Sequence, residues 1–221
     1  MRNGLPANTH GLHVPALYPG QLADVSFLLK TPRALLFSDA GTGKTPPLLR
    51  YAGQVLQGDG QIVWVTEKGL VQQLMAEASI WLPGVPVTML NKADSSSRFI
   101  VATHGEITSR SSRLGWLRPE LLIVDEAGVL GAGGVNPRSK TFVAHRDLAS
   151  RSMRSVLATA TPVATAHALD LRALMEVGHV PGTPSRVDLD RYVTYAEVLT
   201  EVPRGKWTRG LCGLSRLGDQ R

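Results

Sequence analysis

The sequence has a single cysteine, and it lacks any long apolar run. Because Cys212 is the only cysteine among the 221 residues, no disulfide can form within the chain, and the composition suits a reducing compartment. No stretch approaches the roughly 18 apolar residues of a membrane span, and the N-terminal stretch MRNGLPANTH has no apolar segment like that of a secretion signal. These absences disfavour a disulfide-rich secreted domain and a membrane protein. They predict a cytoplasmic location, or the cytoplasm of a host if the source is a virus.

Acidic residues are fewer than basic ones. The chain has 18 Asp and Glu against 24 Lys and Arg, which gives a formal net charge of +6, and its isoelectric point is near 9.8. Such a balance favours a polyanionic partner such as nucleic acid, although an ordinary solvated basic surface gives the same numbers. Hydrophobic residues make up 43% of the chain, which is enough to bury the core of one sizeable α/β domain.

Short β-rich runs alternate along the chain with segments of helical spacing. The predicted strands are 34–38, 62–66, 85–90, 99–103, 121–125 and 155–159. The predicted helices are 20–30, 44–57, 69–80, 140–151 and 165–177. The strands are mostly apolar on both faces, as is typical of strands that helices cover on both sides. This alternation predicts an α/β fold with a mainly parallel central sheet of βαβ units.

The stretch SDAGTGKT, residues 38–45, follows the first predicted strand and precedes a predicted helix. It fits the phosphate-binding pattern GxxxxGK[ST], except that Ser38 stands at the first glycine position. Glycines allow backbone N–H groups to converge on phosphate oxygens, and the following helix directs its positive end at the same anion. A plain glycine turn is the alternative. The predicted nucleotide-binding residues are Asp39, Ala40, Gly41, Thr42, Gly43, Lys44 and Thr45.

A second acidic site follows another predicted strand, in LLIVDEAG. Ligands of open parallel sheets bind at the carboxyl ends of the strands, which is where Asp125 and Glu126 fall. The Thr45 hydroxyl and Asp125 are predicted to hold Mg²⁺, Asp125 either directly or through water. Glu126 is predicted to polarise the attacking water, and Lys44 to neutralise the β/γ-phosphates. An acid-rich helix N-terminus is the alternative. Lys44, Asp125 and Glu126 are therefore the predicted catalytic residues.

With both sites in place, the chain resembles the first RecA-like lobe of a superfamily-two helicase, and is most similar to Swi/Snf-type DNA translocases. The segments that carry the resemblance occur in the family's order. Besides SDAGTGKT and DEAG (125–128), they are LYPGQLADVSFLL (17–29), VTEKGLVQQLMAE (65–77), IVATHGEI (100–107), NPRSK (136–140), LATATPVATAHALDLRAL (157–174) and GHVPGTPS (178–185). The resemblance implies a RecA-like P-loop NTPase three-layer sandwich that uses ATP and Mg²⁺ and acts on DNA, expected to be double-stranded.

The resemblance also assigns roles to residues outside the phosphate loop and the acidic site. Gln21 matches the adenine-reading amide of the family, because an amide both donates and accepts hydrogen bonds. Thr159 and Thr161 match residues that couple nucleotide state to movement. DNA contacts are implied for Lys68, Thr103 and His104. The alternative for Gln21 is a surface glutamine, and for the two threonines it is β-branched residues that end a strand. For Thr103 and His104 the alternative is an ordinary loop, with His104 structural or solvated.

Two departures from the family affect the functional prediction. Gly128 stands where the family has a histidine, so coupling is expected to be altered. The second RecA-like lobe, which carries an arginine that reaches the γ-phosphate, does not fit into the residues after 185. The predicted domains are a leader (1–16), a RecA-like ATP-binding lobe (17–185) and a basic tail (186–221).

These observations predict an ATP-hydrolysing lobe of a Swi/Snf-type DNA helicase or translocase, weak alone, that a second lobe on another chain completes. The alternatives are a non-catalytic ATP- or DNA-binding module, including a truncated helicase remnant, and a P-loop ATPase subunit of a restriction system. No membrane partner is expected.

Overall fold

The computed structural model describes residues 14–39, 41–56, 60–134, 136–161 and 168–184. Within these ranges, every helix is too short or too polar to cross a membrane. The predicted tail (186–221) and nearly all of the predicted leader (1–16) lie outside the described residues. The two domain boundaries therefore stay predictions.

Six strands form one sheet, and every strand pair in it is parallel. In chain order the strands are β1 (Arg33–Phe37), β2 (Gln61–Thr66), β3 (Val87–Met89), β4 (Phe99–Thr103), β5 (Pro119–Val124) and β6 (Arg154–Thr159). Their spatial order is β1-β6-β5-β2-β4-β3. Because all strands run the same way, the loops that follow β1, β6 and β5 open at one edge, side by side.

Helices fill the connections between the strands. The α-helices are α1 (Pro19–Lys30), α2 (Thr45–Val55), α3 (Val71–Trp81), α4 (His104–Arg110), α5 (Lys140–Ser150) and α6 (Ala168–Val177). Short 3-10 helices occupy Lys68–Leu70, Leu90–Lys92, Ser111–Arg113 and Ala127–Gly134. Each predicted strand and each predicted helix overlaps an observed element, and α4 is the helix that the sequence reading left out.

The core is divided between the two faces of the sheet. Along β2, Ile62 and Trp64 belong to the cluster under α1, α2 and α3. Val63 and Val65 belong to the cluster under α4, α5 and α6. Successive residues of a strand point to opposite faces of the sheet, which explains the alternation. All four side chains are fully buried. The result is a three-layer sandwich in which helices cover both faces of the sheet.

Helix α4 begins with a capping box directly after β4. The Thr103 hydroxyl accepts a hydrogen bond from the Glu106 backbone N–H at 3.1 Å, and the Glu106 carboxylate accepts one from the Thr103 backbone N–H at 3.0 Å. This reciprocal pair satisfies N–H groups that have no partner within the helix. The sequence THGE carries this Thr-x-x-Glu signal, but seven residues are too few for helical periodicity to stand out.

At the opposite edge of the sheet, Arg33 links the start of β1 to three other elements. Its guanidinium donates to the carbonyl oxygens of Ser152 at 2.7 Å, Ala149 at 3.2 Å and Gly178 at 3.4 Å. It also donates to the Ser155 hydroxyl at 3.4 Å. Two of the carbonyls lie at the ends of α5 and α6, where a cation also interacts favourably with the helix dipole.

We expect Arg33→Ala to lower the free energy of unfolding by about 2–3 kcal/mol, because it leaves partly buried carbonyls without a charged donor. Arg33→Lys should restore only part of this, since one ammonium cannot replace the guanidinium fork. Urea denaturation measures the change, with the exposed Arg113→Ala as the control. Equal effects at the two arginines would contradict the role assigned to Arg33.

Candidate functional site

The loop between β1 and α2 has the backbone shape of a phosphate-binding turn. Gly41 and Gly43 have φ angles of 80° and 75°, a left-handed conformation that other residues resist. Helix α2 then begins at Thr45, with two prolines in its first turn where no N–H is needed. The predicted residue Ala40 lies outside the described residues. The glycines thus supply the backbone angles that the sequence predicted for this loop.

The second loop follows β5 at the same edge of the sheet. The Asp125 backbone N–H donates to the Val65 carbonyl at 2.8 Å, which extends the pairing of β5 and β2 by one residue. Lys44 Nζ lies 2.7 Å from Glu126 Oε1 and 3.9 Å from Asp125 Oδ1. Two loops separated by 82 residues in the chain therefore meet through one ion pair and one nearby carboxylate.

Burial raises the pKa of Asp125 above its ordinary value, and the charge of Glu126 adds to this shift. The Lys44 ammonium opposes both effects. The side chains of Lys44 and Asp125 are each only 12% exposed, so water screens their charges less than it would at the surface. One ammonium faces two carboxylates here, and a further cation beside them would lower the pKa of Asp125.

A cavity of about 440 Å³ lies beside the phosphate loop and under the start of α1. Gln21 closes one side, where its amide nitrogen donates to the Gly43 carbonyl at 3.0 Å and its amide oxygen accepts from the Tyr18 backbone N–H at 3.0 Å. Sequence reading missed two aromatic residues of this cavity, Tyr18 and Phe37, which are 75% and 46% exposed. Aromatic residues before a helix and at a strand end carry no signal until the fold brings them together.

The two predicted coupling threonines lie beside Gly128. Thr159 ends β6, between β1 and β5, and its hydroxyl accepts a hydrogen bond from the Thr161 backbone N–H at 3.0 Å. A Cβ atom at Gly128 would lie 3.0 Å from the Thr161 carbonyl oxygen and 3.2 Å from the Thr159 hydroxyl. Because Gly128 has no side chain, the backbone of the loop that carries Asp125 and Glu126 can lie directly against the end of β6.

We expect Gly128→His, which introduces the histidine of the resembled family, to lower the free energy of unfolding by about 1–3 kcal/mol through overpacking. The matched control is Gly115→His, because a Cβ at Gly115 meets nothing within 4 Å. Chemical denaturation of both variants checks this expectation. If Gly128→His left the stability unchanged or raised it, the loop after β6 that carries Thr161 (the threonine loop) would be able to move aside for a side chain.

The predicted DNA-contacting residues lie at the same edge of the sheet. Lys68 is exposed in the 3-10 helix that follows β2. The Thr103 hydroxyl is engaged in the capping box of α4 with Glu106. His104 is partly buried, and both of its ring nitrogens contact other protein groups. Lys68 is thus the most accessible of the three, and DNA contact at each of them stays a prediction.

His104 and the fully buried His145 form a pair that the sequence did not predict. His104 Nε2 lies 3.0 Å from the Asp125 carbonyl oxygen, and His145 Nδ1 lies 2.7 Å from the Thr141 carbonyl oxygen. The remaining nitrogens, His104 Nδ1 and His145 Nε2, are 3.0 Å apart. The residues are 41 positions apart, on α4 and α5, so no local pattern predicts the contact.

Burial lowers the pKa of both histidines. The pKa of His145 falls to about 4 from 6.5, and the neighbouring His104 adds to the shift. For His104, the Asp125 carbonyl and the charges of Glu67 and Glu126 partly oppose the effect of burial on the pKa. Both rings are therefore neutral at pH 7. Two neutral rings carry two N–H hydrogens for three close contacts, so one of the three pairs of atoms has no hydrogen between them. A contact to a carbonyl oxygen is a hydrogen bond only when the hydrogen is on the histidine nitrogen, because a carbonyl oxygen only accepts.

We expect the free energy of unfolding to fall as the pH is lowered from 6.5 towards 4. The unfolded chain binds a proton at position 145 below about pH 6.5, whereas the folded chain binds it only near pH 4, so stability rises with pH across this window. The full change is about 3 kcal/mol at 1.36 kcal/mol per pKa unit. Urea denaturation between pH 4 and pH 8 measures it.

His145→Gln should flatten this pH dependence, whereas the same change at the exposed His179 should not. An identical slope in the wild-type chain and in His145→Gln would assign the acid sensitivity to other groups.

The fold is similar to a solved structure, the SWI2/SNF2 ATPase core of Sulfolobus solfataricus in complex with dsDNA. The TM-score is 0.63 and the identity 21%, and the match covers 74% of this chain and 36% of that chain. A likeness at this identity shows the fold, and the predicted RecA-like α/β sandwich is confirmed, with a sheet that is wholly parallel in the described residues. No family model matches the chain. No curated protein matches it either.

Proposed function

We propose that the chain is the ATP-binding and ATP-hydrolysing lobe of a Swi/Snf-type DNA helicase or translocase. The observation that carries this proposal is the meeting of Lys44 with Glu126 and Asp125 at the carboxyl edge of the parallel sheet. Left-handed glycines precede the lysine, and a helix begins directly after it. A phosphate loop and a pair of carboxylates in contact are two of the parts that nucleotide hydrolysis needs.

The phosphate loop would bind the triphosphate of ATP. Backbone N–H groups of residues 41–45 and the N-terminus of α2 attract anionic oxygens, and Lys44 adds a full positive charge. The cavity beside Gln21 would take the adenine, with Tyr18 and Phe37 offering aromatic faces. Gln21 already contacts Gly43, so a base that binds to its amide would be linked to the phosphate loop through one residue.

The donor set fits Mg²⁺. Thr45 supplies a hydroxyl and Asp125 a carboxylate, and Mg²⁺ prefers oxygen ligands, with substrate phosphates and water completing the octahedron. The described residues contain no group of three His, Cys, Asp or Glu side chains placed to bind a metal ion by themselves. When bound, Mg²⁺ supplies charge that neutralises the phosphates of the leaving group.

Glu126 would orient the water that attacks the γ-phosphate. Its carboxylate accepts a hydrogen bond from Lys44 at 2.7 Å. If Lys44 turned to a phosphate oxygen instead, the Glu126 carboxylate would be free to accept a hydrogen bond from that water. Arginine supplied to the γ-phosphate accelerates such reactions by about 10³–10⁵. We therefore propose that a second RecA-like lobe, on another chain or elsewhere in the same protein, completes the site.

DNA is the proposed substrate track. The basic composition, the exposed Lys68 at the carboxyl edge and the dsDNA bound to the similar ATPase core support this. Binding by one lobe should be weak and should fall with salt, since it would rest on phosphate contacts.

We expect Lys44→Ala to weaken binding of a fluorescent ATP analogue by about 10- to 100-fold, which corresponds to the loss of one charge-assisted hydrogen bond. Glu126→Gln should retain binding and lower turnover by about 10²–10⁴-fold, with and without duplex DNA. Phosphate release measures turnover. Exposed Lys92→Ala and the surface variant Glu77→Gln on α3 are the matched controls.

Two outcomes would count against the enzyme. Binding that survives Lys44→Ala would place the nucleotide elsewhere. Binding that Lys44→Ala abolishes, without turnover under any condition that includes DNA and a second lobe, would favour the non-catalytic binding module.

A further inference from the structure

Glu126 has a strained backbone at the centre of the site. Its φ angle is 50°, in the left-handed region that side-chain-bearing residues avoid. Such a conformation is strained and persists only where surrounding contacts hold it. The Glu126 carboxylate bonds to Lys44 from this conformation, so the contacts that hold the backbone also aim the side chain.

The peptide unit between Asp125 and Glu126 is held at both of its polar atoms. Its N–H, on Glu126, donates to the Asp125 carboxylate oxygen Oδ1 at 3.0 Å. Its carbonyl oxygen, on Asp125, accepts from His104 Nε2 at 3.0 Å. The angle φ of Glu126 describes rotation about the bond that joins this peptide unit to the Glu126 Cα. Because both polar atoms are held, the plane of this peptide unit is fixed, and this plane is one of the two groups whose relative rotation defines the strained φ angle.

His104 is itself held in place by α5. Its ring packs beside that of the fully buried His145, with centroids 5.1 Å apart and Nδ1 of His104 at 3.0 Å from Nε2 of His145. When His104 carries its hydrogen on Nε2, its Nδ1 can only accept, so this contact is a hydrogen bond when His145 carries its hydrogen on Nε2. Gly128, two residues after Glu126, has no side chain with which to stabilise the turn. The contact that reaches the turn from the β4 side is the one between His104 Nε2 and the Asp125 carbonyl.

We infer that His104 is a positioning residue: through its Nε2–H it holds the Asp125–Glu126 peptide unit in the orientation that aims the Glu126 carboxylate at the attacking water, with the ring of His145 packed beside it. The inference rests on the proposed ATP hydrolysis, because it concerns the residue that would orient the attacking water. His104 itself touches neither substrate nor metal in this role. Loss of its contact should change the alignment of Glu126 more than the binding of nucleotide.

The test compares His104→Gln with His104→Asn. The amide nitrogen of glutamine reaches approximately the place of histidine Nε2, so it can still donate to the Asp125 carbonyl. The shorter asparagine reaches only the place of Nδ1. We expect His104→Asn to lower the turnover number by about 10- to 100-fold through misalignment, with the KM for ATP nearly unchanged. His104→Gln should recover most of the loss.

Turnover is measured without DNA, so that a lost DNA contact cannot produce the effect. The control is His179→Asn, at the opposite edge of the sheet, where the φ of 51° suits asparagine. Equal losses in His104→Asn and His104→Gln, or wild-type turnover in His104→Asn, would overturn the inference.

A second readout does not depend on activity. Long-range ¹H–¹⁵N spectra of the wild-type chain should place the ring hydrogen of His104 on Nε2, and the Glu126 backbone amide resonance should shift in His104→Asn but not in His104→Gln. A hydrogen on Nδ1 of His104, or an unshifted Glu126 amide, overturns the inference even if the chain proves not to hydrolyse ATP. The same spectra decide the question if His104→Asn does not fold, because the wild-type tautomer remains measurable.

Discussion

The contact between Lys44 and the two carboxylates at positions 125 and 126 is the interaction on which the arrangement of this site depends. Without the ammonium, two carboxylates would lie close together in a partly buried place, and the pKa of Asp125, already raised by burial, would rise further. With it, one of the two negative charges is neutralised before any ligand arrives. A triphosphate would compete with Glu126 for the lysine, so binding of the triphosphate would release the Glu126 carboxylate from its ion pair.

The parallel sheet makes this contact possible. Helices cover both faces, so the strand interiors are apolar and the polar chemistry is confined to the strand ends. Three adjacent strands deliver the three loops of the site, because β6, with Thr159 at its end, lies between β1 and β5. The opposite edge is fastened by Arg33, which joins β1 to α5, β6 and the end of α6. Because Arg33 fixes the sheet at that edge, the sheet can hold the strained backbone of Glu126 at its carboxyl edge.

Local patterns were sufficient to predict the strands, most helices and the two charged loops, because each depends on residues that are close together in the sequence. The glycines, Lys44 and the acidic pair fall where a strand ends, and strand ends in a parallel sheet share an edge. Helix α4 escaped prediction because its seven residues show little periodicity, although THGE carries its capping signal. The pairing of His104 with His145, and the position of Tyr18 and Phe37 beside one cavity, depend on how distant elements pack. Their sequence neighbourhoods contain no sign of it.

Gly128 connects these local and distant contributions. A larger residue there would have to displace the threonine loop, since a Cβ already comes within 3.0 Å of Thr161. The glycine instead lets the backbone after Glu126 lie directly against the end of β6. Because the two backbones are packed together, a shift of one loop would displace the other without any side chain between them. Gly128 itself contributes no side chain to the acidic turn, and from this direction the Glu126 carboxylate is held by Lys44, which follows β1. The hydrogen bond from His104 reaches the same turn from β4, which places the two supports of Glu126 on opposite sides of β5.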